Sequence, residues 1–121
     1  MEKLLKLEEA AQLIATIIFL VFIEADWWWY LILFIGPDIG MFGYVFSPKV
    51  GAYVYNLFHH KALAVIVFIL GVYTQHDPIL LLGAVLFGHA ALDRIFGYGL
   101  KYIDDFKHTH LGRIGREFSE D

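Results

Sequence analysis

The run from Ile79 to Gly88 is nearly pure hydrocarbon, and it is followed at once by His89 and, one helical turn later, by Asp93. On a helix these two side chains share a face. If that helix lies in a bilayer, a histidine and an aspartate on it are expensive to bury. They call for a function or for polar partners from the rest of the chain. The stretch from His89 to Tyr102 therefore sets the question that the other segments must answer.

Composition points the same way. Hydrophobic residues make up 59% of the 121-residue chain and charged residues 18%, against about 45–50% and about 25% in soluble domains. Mean hydropathy is +0.60. The length suits one domain, residues 1–121. The net charge is -4, and no basic stretch alternates with aromatics, so nucleic acid is not an expected partner. The chain has no cysteine, which excludes disulfides and thiolate metal sites, but it has 6 histidines.

In order along the chain, the pattern predicts an all-α polytopic membrane protein with helices at about 4–24, 27–46, 52–73 and 79–102 and a charged tail over 103–121. Lys3 and Lys6 open the first helix, but Glu8 and Glu9 interrupt the apolar approach and no small-residue cleavage site follows, so this segment reads as a retained helix. Trp27-Trp28-Trp29-Tyr30 beside Glu24 and Asp26 reads as an interfacial aromatic belt. The second helix is broken at Gly36-Pro37, and Asp38 follows. Gly97 and Gly99 suggest close helix packing near the end of the fourth helix. Short connections make the expected architecture a four-helix up-down bundle.

Lys and Arg occupy the N-terminus, the second turn and the C-terminal side, whereas the first and third turns carry only acids. The positive-inside rule then predicts a multi-pass protein of the plasma (inner) membrane with both termini cytoplasmic.

Counting ~1.5 Å per helical residue puts Asp38 and His89 each ~16 Å from the outer interface, and His59 ~14 Å from it. Asp93 and Glu8 lie a turn or more closer to the cytoplasm. The polar side chains of four helices thus fall in the inner half of the bilayer. His59, His89, Asp93 and Asp38 are candidate ligands for a divalent ion, with zinc, manganese and iron the metals suited to oxygen and imidazole. Glu8, Asp38 and Asp93 are the candidate catalytic carboxylates, the general base being Glu8 or Asp38. His60 points about 100° away from His59, so only one of the pair can serve this point. His76 falls in a polar turn.

The stretches Leu7-Glu8, Gly36 to Tyr44, Gly51 to His59, Gly88 to Tyr102 and Phe106 to Gly115 resemble a small bacterial integral-membrane family of unknown function, domain family 4260. That resemblance implies a compact inner-membrane protein. It adds Asn56, Arg94 and His110 as positions that would support the ligands, and it favours His59 over His60. Pro37-Asp38, His59 and His89-x-x-x-Asp93 also resemble, in order, the pattern of inner-membrane metal-dependent hydrolases. The chain departs from those in having no D-x-D-H after the proline and no H-R-G-x-T-H-S stretch.

The expected function is a membrane-embedded metal-binding protein, hydrolase-like, acting from the cytoplasmic leaflet on an amphiphilic substrate. The lipid bilayer is its expected partner, and a homo-oligomer is compatible with the sequence. The alternatives are a b-type haem protein with histidines as axial ligands, a proton-coupled transporter or relay component, and a purely structural membrane protein.

Overall fold

The computed structural model describes residues 1–97 (without the side chains of 39–42) and the backbone of 108–109 and 112–113. In chain order these form α1 (Glu2–Phe22), α2 (Trp28–Ile35), a 3-10 helix (Gly36–Val45), α3 (Pro48–His59), α4 (Lys61–Thr74) and α5 (Asp77–Ile95). A two-residue antiparallel pair follows, β1 (His108–Thr109) with β2 (Gly112–Arg113). The described chain is therefore helical. Two helices are long and apolar enough to cross a membrane, Trp28–Val45 and Asp77–Ile95, and α3 with α4 makes a third if the bent pair is one span. The helix α1 is not among them, because Glu2, Lys3, Lys6, Glu8 and Glu9 crowd its first half.

The helix α5 lies in the middle and packs on α1, α2, α3 and α4. Its sequence explains this position. Gly83, Ala84, Gly88, Ala90 and Ala91 are all buried and leave room for neighbours on several sides. A Cβ on Gly83 would stand 2.4 Å from the Phe68 backbone nitrogen, so α4 crosses almost directly on that glycine. Leu20, Leu33, Leu81 and Val85 form the apolar core between α1, α2 and α5. Outward, Ile14, Ile18 and Phe22 on α1 and Ile66, Ile69 and Leu70 on α4 are exposed. Contiguous exposed hydrocarbon of this kind suits lipid contact.

Three boundaries differ from the sequence expectation, each for a local reason. The second helix does change at Gly36, but it continues as a 3-10 helix to Val45 instead of simply kinking. Runs of that geometry beyond three or four residues are uncommon. The expected helix 52–73 is two helices joined at His60, with their axes bent by 46°. There the backbone of His60 is extended, and its side chain accepts from the Ala62 N–H at 3.1 Å, capping α4. Of the expected helix 79–102, α5 ends at Ile95 and Gly97 follows with φ 88, in the left-handed region that glycine enters freely, while 98–102 lie outside the described residues. Among the described residues nothing lies within 4 Å of a Cβ built on Gly97, and its backbone angle is that of a turn.

Two further contacts set the geometry of the site. Ser47 caps α3 by accepting from the Val50 N–H at 3.0 Å, with Pro48 in the first turn. Gly43 then meets Gly51 closely, since a Cβ at residue 43 would stand 2.9 Å from the Gly51 Cα. That approach seats the 3-10 helix against α3 and carries Asp38 towards His59.

Candidate metal centre

Four side chains from three separate segments converge. Asp38 comes from the 3-10 helix, His59 from the last residue of α3, and His89 and Asp93 from one face of α5. One ligand atom from each lies within 4.8 Å of the others, an arrangement that can hold a metal ion. His59 is 3% exposed, His89 1% and Asp93 16%, while Asp38 is 51% exposed.

The histidines are oriented by backbone carbonyls. His89 Nδ1 lies 2.7 Å from the Leu33 carbonyl oxygen, and His59 Nδ1 lies 2.9 Å from that of Tyr55. A carbonyl only accepts, so both Nδ1 atoms carry the proton and donate. Pro37 accounts for the first contact. A residue four after Leu33 would normally donate its N–H to the Leu33 carbonyl, but proline has none. The freed carbonyl is buried in the chain's apolar core region and takes the His89 N–H instead. In the neutral ring each Nε2 is then a bare lone pair.

Those lone pairs face carboxylates. His89 Nε2 lies 3.0 Å from Asp38 Oδ1 and 3.5 Å from Asp93 Oδ2. His59 Nε2 lies 3.0 Å from Asp93 Oδ2 and 3.4 Å from Asp38 Oδ1. Despite these distances, His59 Nε2 is buried without a hydrogen bond, so the Asp93 oxygen is out of line with the ring nitrogen. The two imidazoles meet edge to face, with centroids 5.0 Å apart. At this range a proton or a metal cation must stand between ring nitrogen and carboxylate, and the His89–Asp38 contact has hydrogen-bond geometry. Two carboxylates and two neutral imidazoles carry the charge that one divalent cation balances.

Around the four, Tyr55 has two roles. Its ring stacks on His59, with centroids 3.8 Å apart and planes 10° apart, and its phenol donates to Asp93 Oδ2 at 3.3 Å. Sequence reasoning did not single it out. The signal was its position one turn before His59, where a helical neighbour shares the histidine's face. The Leu33 carbonyl was equally unmarked, although Pro37 four residues later could have pointed to it.

The other expected residues fall elsewhere. Glu8 is exposed on α1 and is not among the converging four. Its neighbour Glu9 is the inward acid, and it binds Lys61. Residues one apart on a helix point about 100° away from each other, and counting depth fixes height but not direction. His60 and His76 are helix caps, the latter accepting from the Ile79 N–H at 3.4 Å. Asn56 lies on α3 and Arg94 on α5, both half-buried, and the converging group includes neither. His110 lies outside the described residues.

A helical chain with two or three apolar helices fits a membrane protein, here with a cluster of two imidazoles and two carboxylates held between its helices. The chain belongs to the DUF4260 family, a domain of unknown function, which matches residues 2–114 and so spans all four cluster residues. No curated protein and no solved structure matches the chain.

Proposed function

We propose that this protein is a membrane metalloprotein in which Asp38, His59, His89 and Asp93 hold one divalent ion, zinc, manganese or iron. The observation that carries this reading is the orientation of the histidines. Both Nδ1–H groups are spent on carbonyls, and both Nε2 atoms lie within 3.5 Å of carboxylate oxygens. Histidine ligands whose far nitrogen is fixed by a carbonyl are a recurrent feature of protein metal sites.

The chemistry best matched to such an ion is hydrolysis. A bound divalent metal supplies an acidified water and polarises a phosphoryl or carbonyl oxygen. Of the two carboxylates, Asp38 is the more exposed, so it marks the side from which substrate arrives and is the better placed of the two to take a proton. The exposed apolar surface supports an amphiphilic substrate reached from the bilayer. In this reading α1, α2 with its 3-10 extension, the bent α3–α4 pair and α5 are the four rods of the expected bundle. Both termini are cytoplasmic, as the distribution of Lys and Arg supports.

The haem alternative finds less support. Ring centroids 5.0 Å apart, with both Nε2 atoms against the same carboxylates, leave no space for a macrocycle between the histidines. A proton relay would use the same Nε2–carboxylate contacts, and metal content separates the two readings. Detergent-purified protein is expected to retain about one divalent ion per chain, or to take up zinc or manganese to that ratio. Its affinity should fall as pH falls, because protons compete for the bare imidazole nitrogens. Protein that is folded, metal-free and unable to bind either ion would overturn the proposal.

A further inference from the structure

The four cluster residues divide evenly between two packed units. Asp38 and His59 belong to a hairpin made of the 3-10 helix, the Ser47 turn and α3, whereas His89 and Asp93 belong to α5. The hairpin is held together from within. Gly43 approaches the Val50 carbonyl and the Gly51 Cα, and a Cβ on Gly51 would collide with the Tyr44 ring. Among the described residues, α3 packs extensively on the 3-10 helix and sparsely on α4 and α5. The polar contacts from the hairpin to α5 centre on the cluster: Asp38 with His89, His59 with Asp93, and the Tyr55 phenol with Asp93.

Both chain connections of the hairpin are breaks in regular helix. At Gly36 the α-helical pattern gives way to 3-10, and Pro37 has no N–H to continue the ladder. At His60 the backbone is extended and the helix axes bend by 46°. Beyond each break the chain is anchored. Leu33 of α2 is buried in the apolar core with Leu81 and Val85 of α5. Lys61, the first residue of α4, bonds to Glu9 and Gln12 of α1 and lies 5.5 Å from the centroid of the Phe87 ring on α5. A tightly packed unit joined to fixed anchors through two broken connections has the build of a hinged element. It also covers the site. His59 and His89 are almost wholly buried, so an ion reaches them only when a wall moves, and the hairpin is the wall with the least packing to give up.

We propose that the hairpin from Gly36 to His59 is a hinged cover that the ion latches onto α5. Binding draws Asp38 and His59 onto His89 and Asp93. Release lets the hairpin swing about Gly36 and His60 and opens the site for exchange. The inference rests on the metal-binding reading above and adds the motion to it. Without the ion, hydrogen bonds such as His89 with Asp38 and Tyr55 with Asp93 remain, and each is worth far less than coordination to a metal.

Electron-electron spin distances on the full chain in detergent micelles test this. The chain has no cysteine, so pairs of introduced cysteines carry spin labels without background. Phe46 at the hairpin tip, Leu4 on α1 and Ile69 on α4 are all exposed. At ~1.5 Å per residue α3 is a lever of ~18 Å, so a swing of ~20° moves the tip by about 6 Å. With zinc bound, Phe46→Cys with Leu4→Cys should give one narrow distance distribution. Removal of zinc by EDTA should shift or spread it by about 6 Å, and zinc should restore it. Leu4→Cys with Ile69→Cys, on the two anchored helices, should not respond. Asp38→Asn with His59→Ala strips the hairpin of its ligands and should leave the tip distance insensitive to zinc. One zinc bound per chain with an unchanged Phe46–Leu4 distribution would overturn the hinge and leave the metal reading standing. Equal changes in both pairs would mean general loosening and overturn it as well. Folded protein that binds no zinc would instead overturn the metal reading, and the hinge with it.

Discussion

His89→Ala should yield a folded protein that has lost its ion. His89 is 1% exposed, and its Nε2 lies within 3.5 Å of both carboxylates of the cluster. Removing a ligand from a four-ligand site costs far more than removing a supporting contact, for which losses of about 10–100-fold in affinity are typical. Metal retention should therefore fall below detection on purification. The comparison with its neighbours is what gives the result meaning. His60→Ala removes only the cap of α4, costs about 1 kcal/mol of stability and should keep the ion. Pro37→Ala restores an N–H that competes with His89 for the Leu33 carbonyl, so it should bind the ion about tenfold more weakly. Full metal content in His89→Ala, measured by elemental analysis, would mean that the cluster is not where the ion sits.

Gly83→Val should severely damage the fold. A Cβ at this position would stand 2.4 Å from the Phe68 nitrogen and 2.6 Å from its Cα. Those are backbone atoms, so no rotamer change relieves the clash and α4 must move away from α5. Overpacking costs about 1–3 kcal/mol where side chains can adjust, and the cost here should exceed that range. Because α5 carries His89 and Asp93, the displacement should also lower metal content. Ala62→Val, on the exposed surface of α4, serves as the control and should change little. Unfolding in mixed micelles with increasing denaturing detergent reads both variants, and an unchanged midpoint for Gly83→Val would contradict the close helix crossing.

Much of the cluster was legible before any coordinates. Periodicity put His89 and Asp93 on one face, and counting along three helices gave Asp38 the height of His89 and His59 a height close to it. The resemblance to the family then favoured His59 over His60. What counting could not supply was direction around the helix axis, which is why Glu8 was expected at the site and Glu9 was not expected at Lys61. The break at His60 was also hidden. No glycine or proline marks it, and the ring that caps α4 comes from a residue type with no strong reputation as a breaker. The early end of α5 was hidden for a different reason. Gly97 is equally compatible with tight packing and with a left-handed turn, and only its backbone angle distinguishes them.

Asp38 combines these two situations. Its height was readable by counting from the outer interface, but its approach to His59 depends on the contact between Gly43 and Gly51, which brings two segments together across a turn. Pro37 does a second thing that the pattern of a broken helix does not reveal: it leaves a carbonyl for His89. The proline that interrupts the second helix thus also orients His89 on α5.

X-ray absorption at the metal edge of protein loaded with zinc tests the central claim most directly. The account predicts one zinc per chain with a first shell of nitrogen and oxygen at about 2.0–2.2 Å, and outer-shell scattering from two imidazole rings. A spectrum without imidazole scattering, or protein that holds no zinc while remaining folded, would contradict it.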